Sequence, residues 1–492
     1  MTENELEVYF NNSPSLGDDM HDMAKDLWPI CRSITGNGAR ETLSYIKRQI
    51  PELAIHSIPS GTKVFDWEIP DEWIIRSAYI KDKSGKKIID MMENNLHIVG
   101  YSEPIDEWMS LEKLNKYLYS LPDQPNAIPY ITSYYERRWG FCLTHIQRQS
   151  LKQGDYHVVI DSEIKPGVLN YADVVIPGLS KKEVMLSTYI CHPSMANNEL
   201  SGPIVTTMLA KWIASIENPF YTYRIIFIPE TIGSIAYLSR HLQYLKDYVV
   251  AGYNITCIGD ERCYSYLPSR NGKTLSDRAA LHALKYVDPN FKIYTWLDRG
   301  SDERQYCSPG VDLPIATIMR SKYGKYPEYH TSLDDLSLIT KRLVDGMTKA
   351  LNKSKANKAK KINESTKQNN FLQTVAVGNQ SGMNSPTGGL NSMLNSPEMQ
   401  SVISQLPQSE ALDKDVAGVQ NFIQGGGINS AMGDLSSGTA AVPGAMDNAA
   451  NVISNQINAG GVTPNPVTPF GAASSGAVVE SCLLYTSDAA DE

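Results

Sequence analysis

Four polar residues in this 492-residue chain stand where short apolar runs end. His192 follows 184–191, Glu230 follows 225–228, Asp260 follows 255–258, and His330 follows Pro327-Glu328-Tyr329. Runs of this kind read as buried strands, and an open α/β sheet collects its chemistry at the carboxyl ends of such strands. Two imidazoles and two carboxylates are the donor types of a hydrolytic zinc site. Such a site needs about three or four ligands, an open position for water and a nearby carboxylate that takes the water's proton. His192, Asp260 and His330 are the expected ligands, with Glu230 as base or ligand. Asn198, in the small-residue turn 196–202, is a further oxygen donor, set against a plain turn role. Asp302, in Gly300-Ser301-Asp302-Glu303-Arg304, is expected to orient a ligand or, like Glu303, to hold a substrate amine. Each has a simpler reading: Glu230 as a helix cap, Asp260 in an ion-pair cluster with Glu261 and Arg262, Asp302 paired with Arg299 or Arg304.

For these residues to converge, the intervening chain must form one sheet. The pattern predicts a mostly parallel mixed sheet over about 167–339, its strands alternating with helices at 203–216 and 234–245 that cover both faces. Upstream, helical spacing marks 18–32 and 37–50. From 61 the texture changes to short strands and turns, with an apparent helix at 111–121 and an aromatic-rich stretch at 130–141. The expected organisation is a main domain from 18–60 and 167–345, a small inserted α+β domain at 61–166, and a low-complexity tail, disordered or chimeric, at 346–492. The aromatic stretch is read as core packing, with a sugar or peptide groove as the alternative.

The tail is set apart by composition. All seven tryptophans and all nine histidines lie at or before His330, and beyond 352 a lysine-rich run gives way to a Gly, Ser, Asn, Ala and Gln tract with too little apolar mass to offset chain ordering. Its last residues, 482–492, resemble a translated sequencing adapter. The net charge of -9 argues against a general nucleic-acid binder. No stretch reaches the roughly 20 apolar residues of a membrane span. The polar, acidic start has no signal-peptide pattern, so a cytoplasmic protein is expected. Seven cysteines without C-x-x-C spacing fit free thiols, leaving any metal to histidine and carboxylate.

With these pieces in place, the chain resembles the zinc aminopeptidases with a co-catalytic metal pair, a superfamily that also contains the glutaminyl cyclases. It is most similar to an aminopeptidase-like branch linked with polysaccharide biosynthesis. The specific pieces are Tyr329-His330-Thr331-Ser332-Leu333-Asp334, like the family's Tyr-His-Thr-x-x-Asp, and Gly300-Ser301-Asp302, like its Ser-Asp-His turn. The resemblance implies that His192, Asp260 and His330 bind zinc and that Glu230 is one member of a Glu-Glu pair. Its bridging aspartate falls where this chain has Asn197 and Asn198; its second glutamate is Thr231, and the aspartate two after the first histidine is Ser194. A neutral amide bridges two cations poorly, so one zinc, or a second bound only weakly, is expected rather than a full pair. The implied activity is hydrolysis of a peptide-like or aminoacyl amide through a metal-activated water. Two alternatives stand beside it: an amidohydrolase on a modified sugar, and a metal-poor scaffold. The expected partners are a small peptide-like or amino-sugar substrate and a second copy of the chain.

Overall fold

The computed structural model describes residues 16–339. The expected tail at 346–492 lies outside them. Helices α1 (Leu16–Leu27) and α2 (Asn37–Gln49) come first, followed by strand β1 (Ala54–Pro59). Four strands then build a small sheet: β2 (Glu72–Lys81), β3 (Lys87–Asp90), β4 (Ile105–Ser110) and β5 (Asp155–Lys165), in the order β3-β2-β5-β4. The chain returns to the main sheet with β6 (Val168–Ile176) and β7 (Ser180–Tyr189). After these come α3 (Ser201–Ala214), β8 (Tyr221–Ile228), α4 (Ile232–Tyr248), β9 (Val249–Ile255), β10 (Ser265–Leu267), α5 (Leu275–Val287), β11 (Lys292–Ile293) and β12 (Ile315–Met319).

The main sheet has eight strands in the order β1-β6-β8-β7-β9-β12-β10-β11. Its centre, β8-β7-β9-β12, is parallel, and the antiparallel pairs lie on either side. Strand alternation divides the apolar side chains between two faces. Ile226 and Ile228 point into a core shared with α4, whereas Ile225 and Phe227 point into a core shared with α1, α2 and α3. The expected α/β sheet with helices on both faces is therefore present. The first of these cores does not stop at the main sheet. Trp73, Ala78 and Ile80 of β2 and Val158 and Ile160 of β5 belong to it along with Tyr171, Met185 and Tyr237.

The central parallel strands all end at one edge, so the segments that follow them meet there. Entry into α3 requires Gly202, because a Cβ at that position would lie 2.6 Å from the Ile255 carbonyl oxygen and 2.6 Å from Thr188 Oγ1. Two expectations change. The helix expected at 111–121 is one short turn, Leu111–Leu114, after which Leu118 and Tyr119 extend and pair with Phe141 and Cys142; extended pairing with a buried partner overrides local helix preference. His330 does not end a strand. It sits in a turn beyond β12, with φ of 56°.

Candidate active site

His192 lies just beyond β7 and is buried. Its orientation is set by Glu199, whose Oε2 accepts both the His192 backbone N–H at 3.0 Å and Nδ1–H at 2.9 Å. Arg32, fully buried beneath, donates from Nε to the His192 carbonyl at 2.7 Å and lies 3.6 Å from Glu199 Oε1. Burial alone would lower the His192 pKa, but the Cys191 sulfur and the Glu199 carboxylate outweigh it and hold it well above the usual histidine range. Sequence reasoning missed Glu199. It is reached through a π-type turn, 196–200, in which Leu200 N–H reaches back to the Met195 carbonyl at 3.2 Å. Such turns cluster at functional sites because they direct extra side chains inward. Ser194, two residues after the histidine, instead bonds the Trp28 carbonyl at 2.8 Å and Asn95 at 2.7 Å.

Glu230 lies just beyond β8, its Oε2 3.5 Å from His192 Nε2 and its Oε1 accepting a hydrogen bond from Ser301 Oγ at 2.5 Å. Burial raises its pKa against the opposing pull of His192 and Ser301. Thr231 has φ 62° and ψ -74°, and Ile232 N–H closes on the Glu230 carbonyl at 2.8 Å. This is the positive-φ γ-turn, a strained conformation in which a threonine persists only when its surroundings enforce it. Asp302 supplies that enforcement by accepting the Thr231 N–H at 2.8 Å. Burial, and then the charge of Glu230, push the Asp302 carboxyl up to about 8. Glu303 is committed elsewhere: its oxygens accept from Gly300, Ser301, Tyr323 and Asn254.

Asp260, expected at a metal, is given other work. Its two oxygens accept from Asn197 Nδ2 at 3.1 Å, Arg262 N–H at 2.8 Å, Ser321 N–H at 2.9 Å and Ser321 Oγ at 3.1 Å. Four donors occupy the roughly four lone-pair positions of a carboxylate. Asp260 thus ties the β9 end to the β12 end. Asn198 is buried, its Oδ1 accepting from Tyr189 at 3.1 Å. Asp334, the last residue of the Tyr-His-Thr-x-x-Asp run, takes the N–H groups of Asn197 at 2.6 Å and Asn198 at 2.9 Å. It caps the helical entry from a distant loop, since unpaired N–H groups at a helix start need an acceptor.

His330 completes the arrangement, its ring centroid 5.6 Å from that of His192. Tyr329 stacks on it at 3.9 Å, and Tyr130 stands edge-on to both imidazoles, at 5.4 Å from His192 and 5.1 Å from His330. The aromatic stretch at 130–139 thus contributes a wall of the site. The Tyr130 hydroxyl meets that of Tyr134 at 3.0 Å, and behind Tyr134 lies a cavity of about 550 Å³ lined by Tyr101, Tyr135, Glu68, Asp71 and Arg137 among others. Burial, then the charge of His192, hold the His330 pKa well below its usual value, and its Nε2 is buried with no hydrogen-bond partner among the described residues. Those residues contain no ready-made group of three or more metal-ligating side chains. The donor chemistry nevertheless fits zinc at the histidines: Glu199 fixes Nδ1 of His192 and leaves Nε2 facing the pocket, while His330 offers an unpartnered Nε2. The Glu230 carboxylate stands beside them, its Oε2 3.5 Å from His192 Nε2, where it can take a proton from a water held at the histidines.

A mixed sheet whose central parallel strands present a histidine and a glutamate at their carboxyl ends, facing a Tyr-His turn, defines an aminopeptidase-like fold. A crystal structure of a Clostridium acetobutylicum protein named as a peptidase superposes with a TM-score of 0.68 at 42% identity, covering 71% of this chain and 82% of that one. The M28 peptidase precursor of Shewanella amazonensis SB2B matches with a TM-score of 0.50 at 12% identity, over 71% of this chain and 94% of that one, a likeness of fold alone. Among curated sequences, a Clostridium acetobutylicum protein named for polysaccharide biosynthesis and an aminopeptidase-like domain is 43% identical over 337 residues, 68% of this chain and 77% of that one. The chain belongs to the family described as a domain of unknown function (DUF4910), whose model matches residues 21–357.

Proposed function

We propose that this protein is a zinc-dependent amide hydrolase of the peptidase type. The observation that carries the reading is the facing of His192 Nε2 and Glu230 Oε2 at 3.5 Å, with the unpartnered Nε2 of His330 on the neighbouring turn. His192 and His330 would hold the metal. Zinc bound there supplies a Lewis acid for the amide carbonyl and lowers the pKa of a water. Glu230 carries the proton, from the attacking water to the leaving nitrogen. Its burial raises its proton affinity toward the range of a working general base, and the Ser301 hydroxyl fixes one oxygen so that the other faces the pocket. Glu199 and Arg32 keep the His192 ring in place, and Tyr130 and Tyr329 limit water around the imidazoles.

Metal analysis of the natively purified protein is expected to give one zinc per chain, and chelation is expected to abolish amide hydrolysis. Glu230→Gln is expected to retain zinc and fold while losing about 100-fold or more in kcat; full activity in that variant overturns the reading. A second reading, hydrolysis of an amide substituent on a sugar, has two observations in its favour: the tyrosine-lined cavity with its carboxylates, and the relative named for polysaccharide biosynthesis. Release of acetate from acetylated amino sugars, compared with release of amine from aminoacyl anilides, separates the two.

A further inference from the structure

An exopeptidase that reads a free amino terminus needs an available carboxylate beside the reacting centre, because an ammonium must be paired when it leaves water. The other carboxylates packed round the two histidines are engaged elsewhere or sealed from solvent. Glu199 is buried against His192 and Arg32; Asp260 and Glu303 each take four donors; Asp334 takes the helical N–H groups; Asp302 is sealed from solvent, one oxygen on the Thr231 N–H and the other buried without a partner among the described residues. The charged group left beside Glu230 has the opposite sign. Arg304 is half-buried and donates only at long range, from Nε to the Ser301 carbonyl at 3.3 Å and from Nη2 to Thr231 Oγ1 at 3.4 Å. Both acceptors belong to residues touching Glu230: Thr231 follows it in the chain, and Ser301 Oγ bonds its Oε1. Among the described residues the guanidinium has no ion-pair partner. A guanidinium presents a planar fork of donors matched to a carboxylate.

We propose that Arg304 is a specificity residue that binds a carboxylate on the substrate close to the scissile amide, so that the site selects acidic amides over substrates with a free amine. The proposal rests on the hydrolase reading for its meaning, but its test does not. Binding to the full chain is measured by calorimetry with two matched pairs. N-acetyl-alanine against N-acetyl-alaninamide represents a peptide-like source of the carboxylate, and N-acetylmuramic acid against N-acetylglucosamine a sugar source. Alaninamide serves as the free-amine probe. In at least one pair the acid is expected to bind about 10- to 100-fold more tightly than its neutral partner, and the pair that shows it identifies the source. Arg304→Gln is expected to bring that ratio to about 1, with Arg304→Lys intermediate because an ammonium keeps the charge without the fork. Thermal melts confirm that both variants are folded. Equal binding within both pairs, no binding by any probe, tightest binding of alaninamide, or a ratio unchanged in Arg304→Gln each overturns the proposal. Acid selectivity that persists while no amide is cleaved defeats the hydrolase reading and leaves the carboxylate site standing.

Discussion

At the scale of single residues, the site depends on how one imidazole is held. Glu199 grips both the backbone and the ring of His192 from a π-type turn, so its removal frees the ring without touching the face that points at Glu230. Glu199→Gln is expected to weaken zinc binding about 10- to 100-fold, read by competition with a chromogenic chelator, and to lower the melting temperature, because the buried Arg32 guanidinium loses its counter-charge. The same neighbourhood shows what one sequence reveals. His192 and Glu230 are legible because each ends an apolar run, and His330 because of its Tyr-His-Thr setting. Glu199 is not legible: an acid seven residues beyond a histidine looks like any solvated helix position until a five-residue turn buries it. Asp260 illustrates the opposite problem. Its place after an apolar run is the place of a ligand, but the Ser321 and Asn197 donors that occupy it come from segments whose approach no local pattern encodes.

At the scale of elements, the loops beyond the parallel strands are tied to one another rather than to solvent. Asp334 joins the His330 turn to the start of the helical segment after β7, and burial, with its backbone bonds opposing, pushes its carboxyl up to about 6. Asp334→Ala is expected to cost about 1 to 3 kcal/mol in denaturant unfolding, because two buried N–H groups lose their acceptor. Glu72, at the start of β2, behaves differently. Burial alone would raise its pKa, but the hydrogen bond from Arg40 at 2.5 Å, the Val168 N–H at 3.1 Å and the Arg40 charge prevail and lower it. A lowered carboxyl stabilises the fold above its unfolded value, and that contribution fades as the pH falls through the folded value. Stability measured between about pH 7 and about pH 3 is therefore expected to fall less steeply in Glu72→Gln than in the parent. The strands and long helices were readable from periodicity. The turn holding His330 was not, since a positive φ at a histidine arises from the surroundings and not from the residue.

At the scale of the whole described region, the four-stranded sheet and the main sheet share one apolar core, with Trp73 and Ile160 in the same cluster as Met185 and Tyr237. Composition marked residues 61–166 as an insertion, but a change of texture carries no information about whether two sheets pack together. Residues 16–339 are expected to unfold in a single transition, with calorimetric and van't Hoff enthalpies in agreement; two resolved transitions would show the small sheet to be independent. Two hydrogen bonds tie this architecture to the candidate site. The Tyr130 N–H bonds the His330 carbonyl at 2.8 Å, and the Ser332 N–H bonds the Ile128 carbonyl at 2.9 Å, so a strip of the small module is stitched to the turn that carries an imidazole. Chimeras that exchange this module between relatives will therefore inherit a working pocket only when residues 128–132 travel with the recipient's histidine loop, which makes that strip, and not the sheet behind it, the natural boundary for recombination.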